Sequence, residues 1–109
     1  MGVINPMNQS EIAALAAKTF NCLISDEYKS VRSELYSDTL KWCLVYDFKV
    51  DAMMPRCIRM AYNDGKLPCL PEGIPSDALD DLCKVVMTLM LNYFEQKDAN
   101  LGTSDQGGY

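Results

Sequence analysis

The chain has 109 residues, 49% of them hydrophobic and 23% charged, and its 15 acidic against 10 basic side chains leave a formal net charge of -5 with no histidine. That composition describes a single globular domain with enough apolar surface for its own core. It excludes Ser/His/Asp and Cys/His catalysis and the commonest metal ligand. The acidic balance also argues against nucleic acid as a direct ligand, because neutralising phosphates needs clustered Lys and Arg.

Residues 1–7 lack the basic start and long apolar stretch of a secretion signal and are expected to be flexible; Pro6 stands where a myristoylation signal at Gly2 needs Ser or Thr. Asn8 and Glu11, three apart, form a capping box that starts an amphipathic helix of about 15 residues bearing Ile12, Leu15, Ala16, Thr19, Phe20, Leu23 and Ile24. Ser25 then caps a second helix. Tyr28, Val31, Leu35, Thr39, Trp42 and Tyr46 lie on one stripe, which favours a continuous helix from Asp26 to Tyr46 over a break at Ser37-Asp38.

A third stripe, Val50, Met53, Met54, Cys57, Ile58, Ala61 and Tyr62, predicts a helix starting near Asp51 with Pro55 tolerated in its first turn and Gly65 as left-handed cap. Residues 67–75 hold three prolines and a glycine and should form a stiff loop with Leu67, Leu70 and Ile74 on the core. Ser76 is the expected cap of a last helix reaching about Gln96. Its stripe is Leu79, Leu82, Cys83, Val86, Met90, Tyr93 and Phe94, but Val85, Met87, Leu89 and Leu91 make its middle apolar on other faces too. Residues 98–109 are Gly-, Asp- and Ser-rich and are expected to be a disordered tail, leaving 8–97 as an all-α domain of four or five helices.

Cys22, Cys43, Cys57, Cys69 and Cys83 are irregularly spaced without a C-x-x-C pair, so they suit neither zinc nor a disulfide framework and read as small core hydrophobes in a reducing, cytoplasmic setting. The longest nearly unbroken apolar run, Val85 to Leu91, is far shorter than the roughly 20 residues that span a bilayer. No glycine-rich phosphate loop is present. The sequence therefore predicts no catalytic residue, no cofactor, no metal and no membrane partner, and a protein that works by contact rather than by chemistry.

Three sets of residues are candidates for that contact. Asp77, Asp80 and Asp81 suit the positive end of the last helix and could meet a basic partner. Arg56 and Arg59, one turn apart, could meet a phosphate or an acidic partner. Val85, Met87 and Leu91 lie off the main stripe and need cover, by a homodimer, by a partner helix or within the monomer. Residues 1–66 carry eight acids and eight bases, whereas residues 67–109 carry seven acids and two bases, so the whole negative excess sits in the last part of the chain.

From Trp42 to Ile74 the order is a helix ending Trp42-Cys43-Leu44-Val45-Tyr46-Asp47, an amphipathic helix, and then Gly65-Lys66-Leu67-Pro68 with Pro71 and Ile74 beyond. This resembles the small helical domain of bacteriophage replicative-helicase loaders, or replisome organisers. The resemblance covers about a third of the chain, and Pro55 and the apolar helix Leu79 to Phe94 depart from it. It implies that Trp42, Tyr46, Cys57 and Ile58 pack the core, that Leu67, Pro68 and Pro71 close it, and that the partner is a replicative helicase in the host cytoplasm. An acidic inhibitor or immunity protein, blocking a basic nucleic-acid site on a nuclease or defence complex through Glu72, Asp77, Asp80 and Asp81, is the alternative.

Overall fold

The computed structural model describes the backbone of residues 7–107 and the side chains of residues 7–96. The flexible start expected over 1–7 falls outside these residues except for Met7, and the side chains of the expected tail fall outside them entirely. The described chain is all-α: α1 (Gln9–Leu23), a single 3-10 turn (Asp26–Tyr28), α2 (Lys29–Tyr46), α3 (Val50–Asn63) and α4 (Ser76–Gly107). No strand occurs among the described residues.

Helix α1 starts on the capping box that the sequence signals: the Glu11 N–H donates to Asn8 Oδ1 at 2.8 Å and the Asn8 N–H to Glu11 Oε1 at 3.1 Å. Its far end is satisfied from outside. Arg32 of α2 donates from Nη1 to the Leu23 carbonyl at 2.6 Å and to the Ser25 carbonyl at 3.1 Å, placing a cation on the negative end of the helix dipole. The stripe holds from Val31 to Trp42, whereas Tyr46 at its end is exposed; Asp26–Tyr28 is wound as a 3-10 turn, and α2 runs unbroken through Ser37 and Asp38.

Helix α2 ends at Asp47, the only non-glycine residue described with positive φ (56°), from which the chain turns into α3. Helix α3 begins at Val50, which puts Pro55 in the second turn, not the first. The missing proline N–H deprives the Asp51 carbonyl of its helical partner, a loss that exposed Asp51 can meet with water. Gly65 (φ 76°) ends α3 in a Schellman motif: Lys66 N–H donates to the Ala61 carbonyl at 2.9 Å and Gly65 N–H to the Tyr62 carbonyl at 3.1 Å.

The proline-rich loop lies on the core as expected, with Leu67 and Leu70 buried. Tyr62 pins it. The Tyr62 hydroxyl donates to the Pro71 carbonyl at 2.8 Å and accepts from the Ile74 N–H at 3.3 Å. Ser76 is the first residue of α4 and not its cap, since the first helical bond runs from Leu79 N–H to the Pro75 carbonyl at 2.8 Å.

Helix α4 is the centre of the fold, packing on α1 along one side and on α3 along another, while α2 packs chiefly on α3. Leu82, Val86 and Met90 of α4 are fully buried with Leu23 of α1 and Met54 and Ile58 of α3. Two edge-to-face ring pairs extend this core, Phe20 with Tyr93 at 5.8 Å and Tyr36 with Phe94 at 4.7 Å. The buried hydroxyls of Thr19 and Thr39 donate to the carbonyls one turn back, Leu15 at 2.8 Å and Leu35 at 2.7 Å, so neither is left unsatisfied.

Candidate interaction surface

The large apolar side chains exposed among the described residues are Leu40, Leu44, Val45, Tyr46, Phe48 and Met60, and all but Met60 fall in the last two turns of α2 and the bend after it. Leu44 is 86% exposed. The cause is helical spacing: Leu35 and Thr39 turn one face of α2 to the core, and Leu40 and Leu44, one turn apart, point elsewhere. Among the described residues no other element covers them.

Beside this patch lies an open groove of about 1060 Å³. Trp42, Tyr46 and Phe48 form one margin, Ala52, Met53, Arg56 and Met60 of α3 the floor, and Asp80, Cys83 and Lys84 of α4 the other margin. Its aromatic margin is ordered ring on ring. Trp42 stacks on Tyr46 with centroids 5.5 Å apart at 23°, and Tyr46 leans on Phe48 at 6.2 Å. A cation stands at each end of the row, Lys41 Nζ at 4.9 Å from the Trp42 ring and the Arg56 guanidinium at 5.3 Å from the Phe48 ring.

Two ion pairs occur among the described residues, Arg59 with Asp80 and Lys66 with Glu34. Arg56 and Lys84 on the groove, and Lys41 and Lys49 flanking it, therefore have no carboxylate partner there. Asp51 is the one lining carboxylate outside an ion pair. In a chain of net charge -5, this is a locally basic, apolar surface.

The candidate residues distribute unevenly around it. Arg56 lies on the groove, and Arg59 and Asp80 face each other across it, joined further by Arg59 Nη2 donating to Ser76 Oγ at 2.8 Å. Asp77, Asp80, Lys84, Met87 and Leu91 follow at steps of three, four, three and four, one face of α4, whereas Asp81 and Val85 lie off it. Asp77 and Asp81 are exposed; Val85, Met87 and Leu91 are half-buried and pack on the core. Leu40, Leu44, Phe48 and Lys84 were not among the candidates. The signal for the leucines was present, since they lie off the stripe of α2 just as Val85 and Met87 lie off that of α4.

Burial holds the thiols of Cys57, Cys69 and Cys83 protonated. Burial pushes Cys83 up to about 12, against a partial lowering by Arg59. Burial, with a hydrogen bond to Cys22, pushes Cys69 up to about 11, and burial also raises Cys57. Among the described residues no group of three or more Cys, Asp or Glu could hold a metal ion, and no helix is long and apolar enough to cross a membrane.

No protein-family model matches the chain, and neither a curated protein nor a solved structure matches it.

Proposed function

We propose that the chain is a non-catalytic protein-binding module that docks its partner on the end of α2 and the adjoining groove. The observation that carries this is the crowding of Leu40, Leu44, Val45, Tyr46 and Phe48 at one exposed end of the molecule. A contiguous apolar patch of this kind, rimmed by charge, marks a contact site. The specific form proposed is a helicase loader or replication adaptor, which rests on the resemblance of the Trp42-to-Ile74 segment. It is tested by co-elution with the replicative helicase of the host in the presence of ATP. Co-elution that Leu44→Ser and Tyr46→Ser abolish supports it, and failure to co-elute removes the helicase while leaving the docking surface to be tested with other partners.

A second reading is an acidic inhibitor of a nuclease or defence complex, favoured by the exposed carboxylates of Glu72 in the loop before α4 and of Asp77 and Asp81 in its first two turns. It requires binding that weakens steeply with salt and with Asn at those three positions, and that is indifferent to Leu44→Ser.

A further inference from the structure

We infer that the groove over α3 is built for an acidic amphipathic helix of a partner protein; this rests on the protein-binding reading and names the chemistry of its ligand. The floor runs from Ala52 to Met60 along α3, about 12 Å at about 1.5 Å per residue, long enough to seat about two turns of a helix. Trp42, Phe48 and Met60 offer apolar surface to the buried face of such a helix, and the flexible Met60 thioether can adapt to it.

Charge selects the occupant. Arg56 on the floor and Lys84 on the α4 margin form no ion pair among the described residues, and Lys41 adds to them over the Trp42 ring; Lys49 is offset by Asp47, and Asp51 is the one lining carboxylate outside an ion pair, so an excess of positive charge remains. The acidic excess of the chain lies in residues 67–109, where a partner rich in carboxylates is repelled; at the groove cations it is attracted. A second copy laid groove to groove would set Arg56 and Lys84 against the same cations of its mate. Nucleobases would need free aromatic faces, but Trp42 is already stacked on Tyr46 and has the Lys41 ammonium over its ring.

Trp42 is the only tryptophan, so its emission reports the groove directly. The test selects a displayed library of helical peptides, with leucines fixed along one face and randomised flanks, on the immobilised full chain, and then titrates recovered peptides into free protein. The expected result is enrichment of Asp and Glu at the flanks and a Trp42 emission shift on binding. The affinity should fall about fivefold or more in the Arg56→Glu/Lys84→Glu double variant, as two rim charges allow.

Binders that shift Trp42 but show no preference for acids, or prefer Lys and Arg, overturn this inference and leave the protein-binding reading standing. A library that yields no peptide acting on Trp42 overturns both. A Trp42 shift on concentrating the protein alone, with a dimer mass by light scattering, assigns the groove to a second copy and overturns the acidic helix. The circular dichroism of the double variant, matching that of the parent, separates lost binding from lost folding.

Discussion

Arg59 of α3 and Asp80 of α4 form an ion pair across the groove, and the same guanidinium reaches Ser76 one turn earlier in α4. The pair ties the start of α4 to the middle of α3 at the place where the proline-rich loop delivers the chain. Its side chains are 37% and 51% exposed, so solvent screens it heavily. Asp80→Asn should lower stability by about 0.5 kcal/mol, and Arg59→Ala by about 1 kcal/mol because it also loses the Ser76 bond. Urea unfolding of the two single variants and the double variant measures the coupling, which should shrink as salt is raised; a coupling near zero at low salt would remove the tie.

Arg32 is a better-protected cation, bonded to two carbonyls where α1 ends. Arg32→Ala takes the side-chain donor from the Leu23 carbonyl, while the Ser25 carbonyl keeps the Tyr28 N–H at 3.2 Å, and should cost about 1 kcal/mol in urea unfolding. Arg32→Lys keeps the charge but not the fork of donors and should recover only part.

Core and surface leucines should respond in opposite ways. Leu82 is 1% exposed, and Leu82→Ala should cost about 3 kcal/mol, a large share of the stability of a domain this size. Leu44→Ser should leave unfolding within about 0.5 kcal/mol of the parent while removing partner binding. A large thermal destabilisation by Leu44→Ser would show that this side chain packs in the fold, against its assignment to a docking surface.

Alkali should destabilise the fold through its thiols. Burial holds Cys83 at about 12 against an ordinary value of 9.0, so above pH 9 the unfolded chain has given up a proton that the folded chain retains. The folded state then binds more protons, and stability, fully present below pH 9, falls as the pH climbs toward 12. Cys69, at about 11, acts in the same direction. Urea midpoints measured from about pH 8 to about pH 10.5 should decline, and the decline should be shallower in Cys83→Ala. An unchanged slope in that variant would assign the alkaline loss elsewhere.

Local chemistry made most of the fold legible. The Asn8/Glu11 box, the stripe of α3 and Gly65 each act over three or four residues, and each stands where the sequence puts it. What depended on distant neighbours did not follow so directly. Ser76 has the composition of a cap, but the Pro75 carbonyl takes the first helical bond and frees the Ser76 hydroxyl for Arg59, a partner seventeen positions away. The all-round apolar middle of α4 is consistent with a helix central in the fold, with α1 against one side and α3 against another. The exposed patch was hidden by the aromatic residues in it: Trp42 and Tyr46 both fall on a core stripe by spacing, and Trp42 does pack partly on the core, but Tyr46 is 58% exposed and both line the open groove.

The first helix of the chain takes its main support from the last. During synthesis, therefore, the buried face of α1, with Ile12, Ala16 and Leu23, lacks its main partner until Leu82, Val86 and Met90 have left the ribosome. Until then α2 and α3 can pair, but the apolar side of α1 stays open to chaperones or to wrong partners. The order of assembly is set by the pairing of the first helix with the last, and a chain stopped short of Met90 should be recovered as an unfolded, chaperone-bound species.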